Sequence, residues 1–184
     1  YIDELNVSLA RMQSLKEGIE KLKEAGKKTV AYVKYPTLGR YYLACAADEI
    51  IVPPSSSFSL IIGLFREILF YRDALEKVGI EFENIQISPY KSAFDTFDKD
   101  GMTPEFTAQL DWLLDEQFDM LTQGIAEGRN MAQEEIISIF DKTPLELTEA
   151  QQYGLIDHLL YEDELEEFFF PKPKDGEKKR PRDR

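Results

Sequence analysis

The chain alternates between two spacings of apolar residues, one typical of helices and the other of strands. From Leu5 to Ala25 the apolar residues recur at steps of three and four, which predicts an amphipathic helix. Thr29–Tyr35 and Glu49–Val52 are rich in β-branched and aromatic residues, and they predict strands. Thr103-Pro104 predicts the start of a long helix, whose apolar stripe runs from Phe106 to Ile125.

The remaining segments continue this alternation. Short helices are predicted at Tyr41–Ala47, Leu64–Val78, Gln133–Phe140, Glu149–Tyr153 and Glu162–Phe169, strands at Phe82–Ile87 and Leu155-Ile156, and an extended segment at Phe58–Ile62. Strands that alternate with helices are typical of βαβ units. The sequence therefore predicts an α/β fold with a mainly parallel sheet flanked by helices.

One domain is predicted for residues 1–170, followed by a charged segment at 171–184. Tyr1-Ile2-Asp3 resembles the middle of a strand, so we expect the first strands of this domain to precede the chain. From Lys172 onward there are seven Lys or Arg, three Asp or Glu and no large apolar residue. Such a composition buries too little surface to fold alone, which predicts a linker or disordered tail.

Charge narrows the classes of partner. The chain of 184 residues carries a net charge of -13, although its last residues are basic. An acidic body of this kind repels phosphate groups, so we expect no nucleic-acid partner. No apolar run is long enough to span a bilayer, and any membrane anchor is therefore expected outside this chain.

Cysteine and histidine are too scarce to build a site of their own. Cys45 is the only cysteine, and it lies in the small apolar run Leu43–Ala47, which predicts a buried structural thiol. His158 is the only histidine and is also interpreted as structural. Motifs for phosphate loops, dinucleotides, zinc peptidases and α/β-hydrolases are absent from the sequence, and we expect no cofactor and no metal.

Lys91 is the candidate for chemistry. It follows the predicted strand Phe82–Ile87, and the aromatic residues Tyr90, Phe94 and Phe97 are close to it in sequence. A lysine among apolar groups can lose its proton and act as a base, whereas most lysines are solvated surface charges. The residues alone leave both interpretations open.

Four segments, in order and spacing, resemble the signal peptide peptidase A (protease IV) family of serine peptidases. They are Gly26–Tyr32, Gly39–Ile50, Tyr90–Asp95 continued by Asp100–Glu105, and Ala150–Asp157, which correspond to the family patterns GKxVxAY, GGYYLASAADxI, YKSAxEPF…RDxMSPE and AxxxGLVD. The resemblance covers roughly residues 1–168. It implies the fold of the Clp protease and crotonase superfamily, with repeated ββα-type units.

The resemblance implies that Lys91 is the general base of a Ser–Lys dyad. The family's nucleophile lies in the pattern ASGGYY, and alignment places Leu38 where that serine should be. Arg40 replaces the second glycine of the pattern, which argues against an oxyanion hole of backbone N–H groups at this turn. Thr37 is one position away and is a poor candidate for the nucleophile. A chain that has the lysine base but lacks the serine nucleophile resembles the N-terminal half of the family's long, two-domain form.

The resemblance also implies a substrate groove along Ser57–Gly63. Its candidate residues are Ser59, Leu60, Ile61 and Gly63, where an extended apolar peptide could pair along a strand edge. A buried core strand is an equally good interpretation of this segment.

The leading hypothesis is therefore part of a membrane-associated serine endopeptidase on the extracytoplasmic face. It would cut hydrophobic peptides such as spent signal peptides, in a homo-oligomer whose second domain or neighbouring subunit supplies the serine. Two alternatives stay open: a catalytically inactive scaffold domain of the same family, and a crotonase-type acyl-CoA enzyme.

Overall fold

The computed structural model describes residues 1–3, 7–58 and 64–171. Its helices are α1 (Leu9–Glu24), α2 (Leu38–Ala44), α3 (Arg72–Lys77), α4 (Asp95–Asp98), α5 (Pro104–Arg129), α6 (Gln133–Phe140), α7 (Leu147–Gln152) and α8 (Leu165–Phe169), with 3₁₀ turns at Ser92–Phe94 and Glu162–Glu164. Its strands are β1 (Val30–Tyr32), β2 (Glu49–Val52) and β3 (His158–Leu159). The predicted tail from residue 172 onward lies outside the described residues.

The contacts divide the chain into two compact units. The first unit comprises the described parts of 1–62 and 123–184, and the second comprises the described part of 63–122. Helix α5 begins in the second unit and ends in the first.

A parallel sheet forms the centre of the first unit. Its strands lie in the order β1-β2-β3, and both pairings are parallel, with Ala31 opposite Ile50 and Ile51 opposite His158. Ile50, Ile51 and Val52 are fully buried, as expected for a central parallel strand covered on both faces. The α/β class with a parallel sheet and flanking helices is thereby confirmed.

Helix α5 closely approaches the end of α2. A Cβ atom on Gly128 would lie 2.1 Å from the carbonyl oxygen of Cys45, and one on Gly124 would lie 2.4 Å from the ring of Tyr42. Gly128 lets the backbone of α5 meet that of Cys45, and Gly124 leaves room for the Tyr42 ring. Ile125, on the same stretch of α5, is fully buried in the core.

An ion pair connects the end of α5 to β2 and to the turn before β3. The Arg129 guanidinium donates two hydrogen bonds of 2.9 Å to the Asp157 carboxylate and two more to the carbonyl of Gly154, at 2.8 and 2.6 Å. The same carboxylate accepts a 2.7 Å hydrogen bond from the Ile50 N–H of β2. The Arg129 side chain is only 8% exposed, and the Asp157 carboxylate compensates its charge inside the unit.

Several predicted boundaries are confirmed. Glu49–Val52 and Gln133–Phe140 have the predicted limits, and α5 begins at Pro104 with the Thr103 hydroxyl accepting a hydrogen bond from the Phe106 N–H. The helix predicted at Tyr41–Ala47 begins three residues earlier, at Leu38, and ends at Ala44. The strand predicted at Leu155-Ile156 is wrong. Those two residues are buried, but they lie in the turn before β3, which begins at His158.

Two predictions in the second unit are wrong. Phe82–Ile87 is not a strand, because no described segment pairs with its backbone and alternation alone cannot supply a partner. The helix predicted at Leu64–Val78 is reduced to Arg72–Lys77. Phe65 and Leu69 are mostly exposed, and a short helix takes most of its stability from packing its apolar face.

We expect Arg129→Met to lower the free energy of unfolding by about 3 kcal/mol at pH 7, because it leaves a partly buried carboxylate without its cation. Burial by itself raises the pKa of Asp157, but the hydrogen bonds from Arg129 and Ile50 outweigh it and hold that pKa below the ordinary value of 3.8. A carboxyl with a lowered folded-state pKa stabilises the fold above its unfolded pKa, and the effect is lost as pH falls through the folded value.

The measurement is urea unfolding of both proteins at pH 7 and at pH 3. The difference between them should shrink at pH 3 without vanishing, because the bonds from Arg129 to Gly154 do not titrate. Lys28→Met is the matched control, since it breaks the exposed Lys28–Glu49 pair and should cost less than about 1 kcal/mol. Equal losses for the two variants would contradict the role given to Arg129.

Candidate active site

Lys91 lies in a turn of the second unit between an extended segment and two short helical turns. Its N–H donates to the carbonyl of Ser88 at 3.0 Å, and it directly precedes the 3₁₀ turn Ser92–Phe94. The Ser92 hydroxyl donates to the side-chain oxygen of Gln109 on α5 at 3.3 Å. The backbone around the lysine is therefore ordered by contacts within its own unit.

A buried carboxylate lies beside this turn. Asp95, the first residue of α4, is 1% exposed, and its Oδ1 accepts a hydrogen bond from the side-chain amide of Gln86. The same Gln86 nitrogen donates to the carbonyl oxygen of Lys91 at 3.1 Å. No ion pair joins Lys91 and Asp95, both of which are described, so the carboxylate engages the amide in place of the amine.

The aromatic residues of this region stack in a row. Phe82 stacks on Phe94 and packs against Phe97, at centroid distances of 6.0 and 5.4 Å, and Phe97 stacks on Tyr71 at 5.9 Å. Phe94 and Tyr90 are 54% and 56% exposed, and Lys91 itself is exposed. Burial is what makes a lysine neutral, and the described residues do not bury this one.

The residue aligned with the family's nucleophilic serine lies at the start of α2 in the first unit. Leu38 is the first residue of the helix, and Thr37 is its exposed N-cap, whose side chain makes no capping hydrogen bond. The Arg40 guanidinium donates to the carbonyl of Tyr35 at 3.3 Å. A leucine here has no group that can attack a carbonyl carbon. Lys91 and Leu38 belong to different units.

The candidate groove residues Ser59, Leu60, Ile61 and Gly63 lie outside the described residues. Immediately before them, Phe58 is fully buried, packs edge-on against Tyr41 at 5.2 Å and forms an antiparallel bridge with Leu145. A cavity of about 400 Å³ lies next to this bridge and is lined by Ser56, Ser57, Pro144 and Glu146 among others. At Phe58 the segment is thus part of the core.

Cys45 and His158 have the structural surroundings expected of them. Cys45 is fully buried at the end of α2, and burial raises the pKa of its thiol to about 12. His158, on β3, is half-buried, lies 4.7 Å from the ring of Phe168 and has its Nε2 3.5 Å from Glu49. The described residues contain no group of three or more His, Cys, Asp or Glu arranged to hold a metal ion.

Among the residues that the structure describes, no helix is both long and apolar enough to cross a membrane.

The sequence drew attention to Lys91 but not to the residues that contact it. Gln86 was part of the predicted strand Phe82–Ile87, and Asp95 was only the last residue of the segment Tyr90–Asp95. The signal that could have revealed them is a glutamine and an aspartate flanking the lysine within nine residues, but such a spacing is common. Arg129 was missed as well, because its partner Asp157 is 28 residues away in sequence.

Comparison with known proteins gives one family. The model of peptidase family S49 matches residues 21–168. The chain is 30% identical over 165 residues to the protein named Serine protease SPPA, chloroplastic, from Arabidopsis thaliana, an alignment that covers 90% of this chain and 24% of that protein. It is 31% identical over 146 residues to Protease 4 of Haemophilus influenzae, covering 75% of this chain and 24% of that protein.

A putative protease of Synechocystis sp. is 26% identical over 167 residues, which cover 91% of this chain and 59% of that protein. The chain thus spans about a quarter of the length of the first two relatives and a little more than half of the third.

We expect the Cys45 thiol to be inert in the folded protein. With its pKa raised from 9.0 to about 12, the thiolate fraction at pH 8 falls about a thousandfold, and only the thiolate reacts. The measurement is the rate of reaction with an aromatic disulfide reagent at pH 8, with and without 8 M urea as the unfolding agent. Reaction in the folded protein as fast as in urea would contradict the buried position of this thiol.

Proposed function

This chain belongs to peptidase family S49, and we propose that it is part of a serine endopeptidase of the SPPA or protease 4 type, to which it supplies Lys91 as the general base. The family's Clp protease/crotonase-like fold accords with the parallel sheet of the first unit. The observation that carries the proposal is the segment Tyr90–Asp95, which lies inside the matched region and presents its lysine on an ordered turn.

The chemistry assigned to Lys91 is proton transfer in two half-reactions. The neutral amine accepts the proton of a serine hydroxyl while the serine oxygen attacks the peptide carbonyl carbon. The carbon–nitrogen bond then breaks, and the lysine ammonium gives that proton to the leaving amine. In the second half-reaction the amine takes a proton from water, whose oxygen attacks the acyl-enzyme. The acid is released, and the serine recovers its hydrogen from the ammonium.

The serine itself must come from elsewhere. Leu38 stands at the start of α2, where the family pattern has its nucleophile, so a second peptidase domain or a neighbouring subunit supplies the hydroxyl. This is the reason for proposing a homo-oligomer. An anchor outside this chain would hold the assembly at a membrane, on the extracytoplasmic face.

Desolvation is the main demand on such an assembly. An ordinary lysine has a pKa of about 10.4, and bringing it near neutrality takes roughly 4–5 kcal/mol of burial. The apolar side chains next to Lys91 are uncovered, since Ile87 is 88% exposed and Tyr90 and Phe94 are more than half exposed. A second surface placed on them would bury both the aromatic groups and the amine, which supports the proposal that the site is completed in the assembly.

The proposed substrates are hydrophobic peptides such as cleaved signal peptides. The extended segment before Lys91 carries uncovered apolar residues, Ile85 and Ile87 among them, on a backbone that no described strand pairs. An apolar peptide in an extended conformation matches such a surface.

A second candidate function is an inactive scaffold domain of the same family. Two observations favour it, namely the exposed side chain of Lys91 and the leucine at position 38. In that case the lysine stays solvated in the assembly, and the chain contributes contacts alone.

We expect Lys91→Ala, in the full-length assembled protein, to lower peptidase activity at least about a thousandfold, because the loss of a general base costs several kcal/mol of barrier. Lys91→Arg should be equally inactive, since a guanidinium does not give up its proton. The assay follows cleavage of an apolar peptide, with oligomeric state measured in parallel. Lys77→Ala, at the exposed end of α3, is the matched control and should retain full activity. A fully active Lys91→Ala protein would overturn the proposal.

The two candidate functions differ in how accessible the amine is after assembly. We expect an amine-acylating reagent to modify Lys91 and Lys77 at comparable rates in the 184-residue chain, because both are exposed there. In the active assembly Lys91 should react at least about tenfold more slowly while Lys77 is unchanged. Unprotected Lys91 in the full assembly would favour the scaffold.

Assayed alone, the 184-residue chain should cleave no peptide, because it lacks the aligned serine. Cleavage that persists after Lys91→Ala would point to a different nucleophile within the chain.

A further inference from the structure

Gln86 connects the candidate base to a buried charge. Its side-chain nitrogen donates to the carbonyl oxygen of Lys91 at 3.1 Å and to the carboxylate of Asp95. A primary amide carries two N–H donors, so both contacts can be made at once. One side chain thereby joins the backbone of the lysine to Asp95, the first residue of α4.

Asp95 keeps Gln86 in place. It is 1% exposed, and a carboxylate at such a site is tolerated only when donors compensate its lost hydration. If the amide of Gln86 turned away, the Oδ1 of Asp95 would lose this donor inside the unit. The contact is therefore costly to break, which holds the glutamine in one orientation.

The lysine backbone is held from both sides as a result. The N–H of Lys91 donates to Ser88, and its carbonyl accepts from Gln86, while its backbone angles of φ −88° and ψ 58° are neither helical nor extended. The direction in which the Lys91 side chain leaves the backbone is thus set by these two hydrogen bonds.

We propose that Gln86 is a positioning residue for Lys91 and that Asp95 acts through Gln86. The inference rests on the proposed function, since it assigns a purpose to a fixed lysine backbone. A general base must lie within about 2.6–3.2 Å of the hydroxyl whose proton it takes, and small displacements from that geometry are costly in rate. The buried aspartate contributes through the amide and not as a counter-ion of the amine.

The first measurement needs no catalysis. In the 184-residue chain, Gln86→Met keeps the length of the side chain but removes both donors. We expect hydrogen exchange at the Lys91 N–H to accelerate at least about tenfold, while the amides of Ile50 and Ile51 in β2 stay protected. Asp95→Asn keeps an acceptor oxygen for Gln86 and should leave the Lys91 amide within about threefold of its original rate.

The second measurement is made in the full-length assembled protein. Gln86→Met should lower kcat about 10–100-fold with KM within about twofold, and Asp95→Asn should stay within about threefold of the original kcat. The double variant of Gln86→Met with Lys91→Ala should be no slower than Lys91→Ala alone, because Gln86 acts through the lysine. Gln123→Leu, which removes an exposed amide paired with Glu127 on α5, is the control and should leave kcat unchanged.

The outcomes separate this inference from the proposed function. An inactive Lys91→Ala protein together with a fully active Gln86→Met protein overturns the inference alone. A double variant much slower than Lys91→Ala also overturns it, because Gln86 would then act independently. An active Lys91→Ala protein overturns the proposed function, whereas the exchange measurement still tests the anchoring of the turn.

If Gln86→Met loses protection throughout the second unit, the same readings are taken on Gln86→Asn. Its amide is shorter by one methylene and should serve only one of the two acceptors, so exchange at Lys91 should rise while the unit stays folded. An Asn variant with full kcat and an unprotected Lys91 amide overturns the inference.

Discussion

The first unit depends on one guanidinium that is almost wholly buried. Arg129 ends α5 and binds both the carbonyl of Gly154 and the carboxylate of Asp157, which in turn holds the N–H of Ile50 in the central strand. Because a buried cation without these partners would be strongly unfavourable, the helix end, the strand and the turn before β3 must adopt their positions together. The approach of α5 to α2 at Gly128 belongs to the same arrangement.

Arg129 and Lys91 differ in burial and in pairing. Arg129 is buried and fully paired, which suits a charge that must be kept. Lys91 is exposed and forms no ion pair with any other described residue, yet its backbone is held by hydrogen bonds on both sides. In the proposed role, a fixed backbone with an unpaired amine would suit the loss of a proton when a second surface covers the lysine, since no counter-ion would oppose that loss.

Helices and strands that are marked by their own short stretch of sequence were predictable. Glu49–Val52 is a short β-branched run that ends at Pro53-Pro54, and Gln133–Phe140 is an apolar periodic segment. Both have the predicted limits. Phe82–Ile87 has the alternation of a strand but no partner among the described residues. A strand is a property of two segments, because its backbone groups need a neighbour, and no single segment can specify that neighbour.

The sequence by itself determined the kind of chemistry to look for. The sequence has a lysine in the segment Tyr90–Asp95, which is the candidate base. It has a leucine at position 38, where the family pattern has its serine. Only the tertiary structure decided that Asp95 is buried and engages Gln86. The physical reason is that burial and hydrogen bonding depend on how an irregular turn folds back on itself, and no periodic pattern of residues encodes that path.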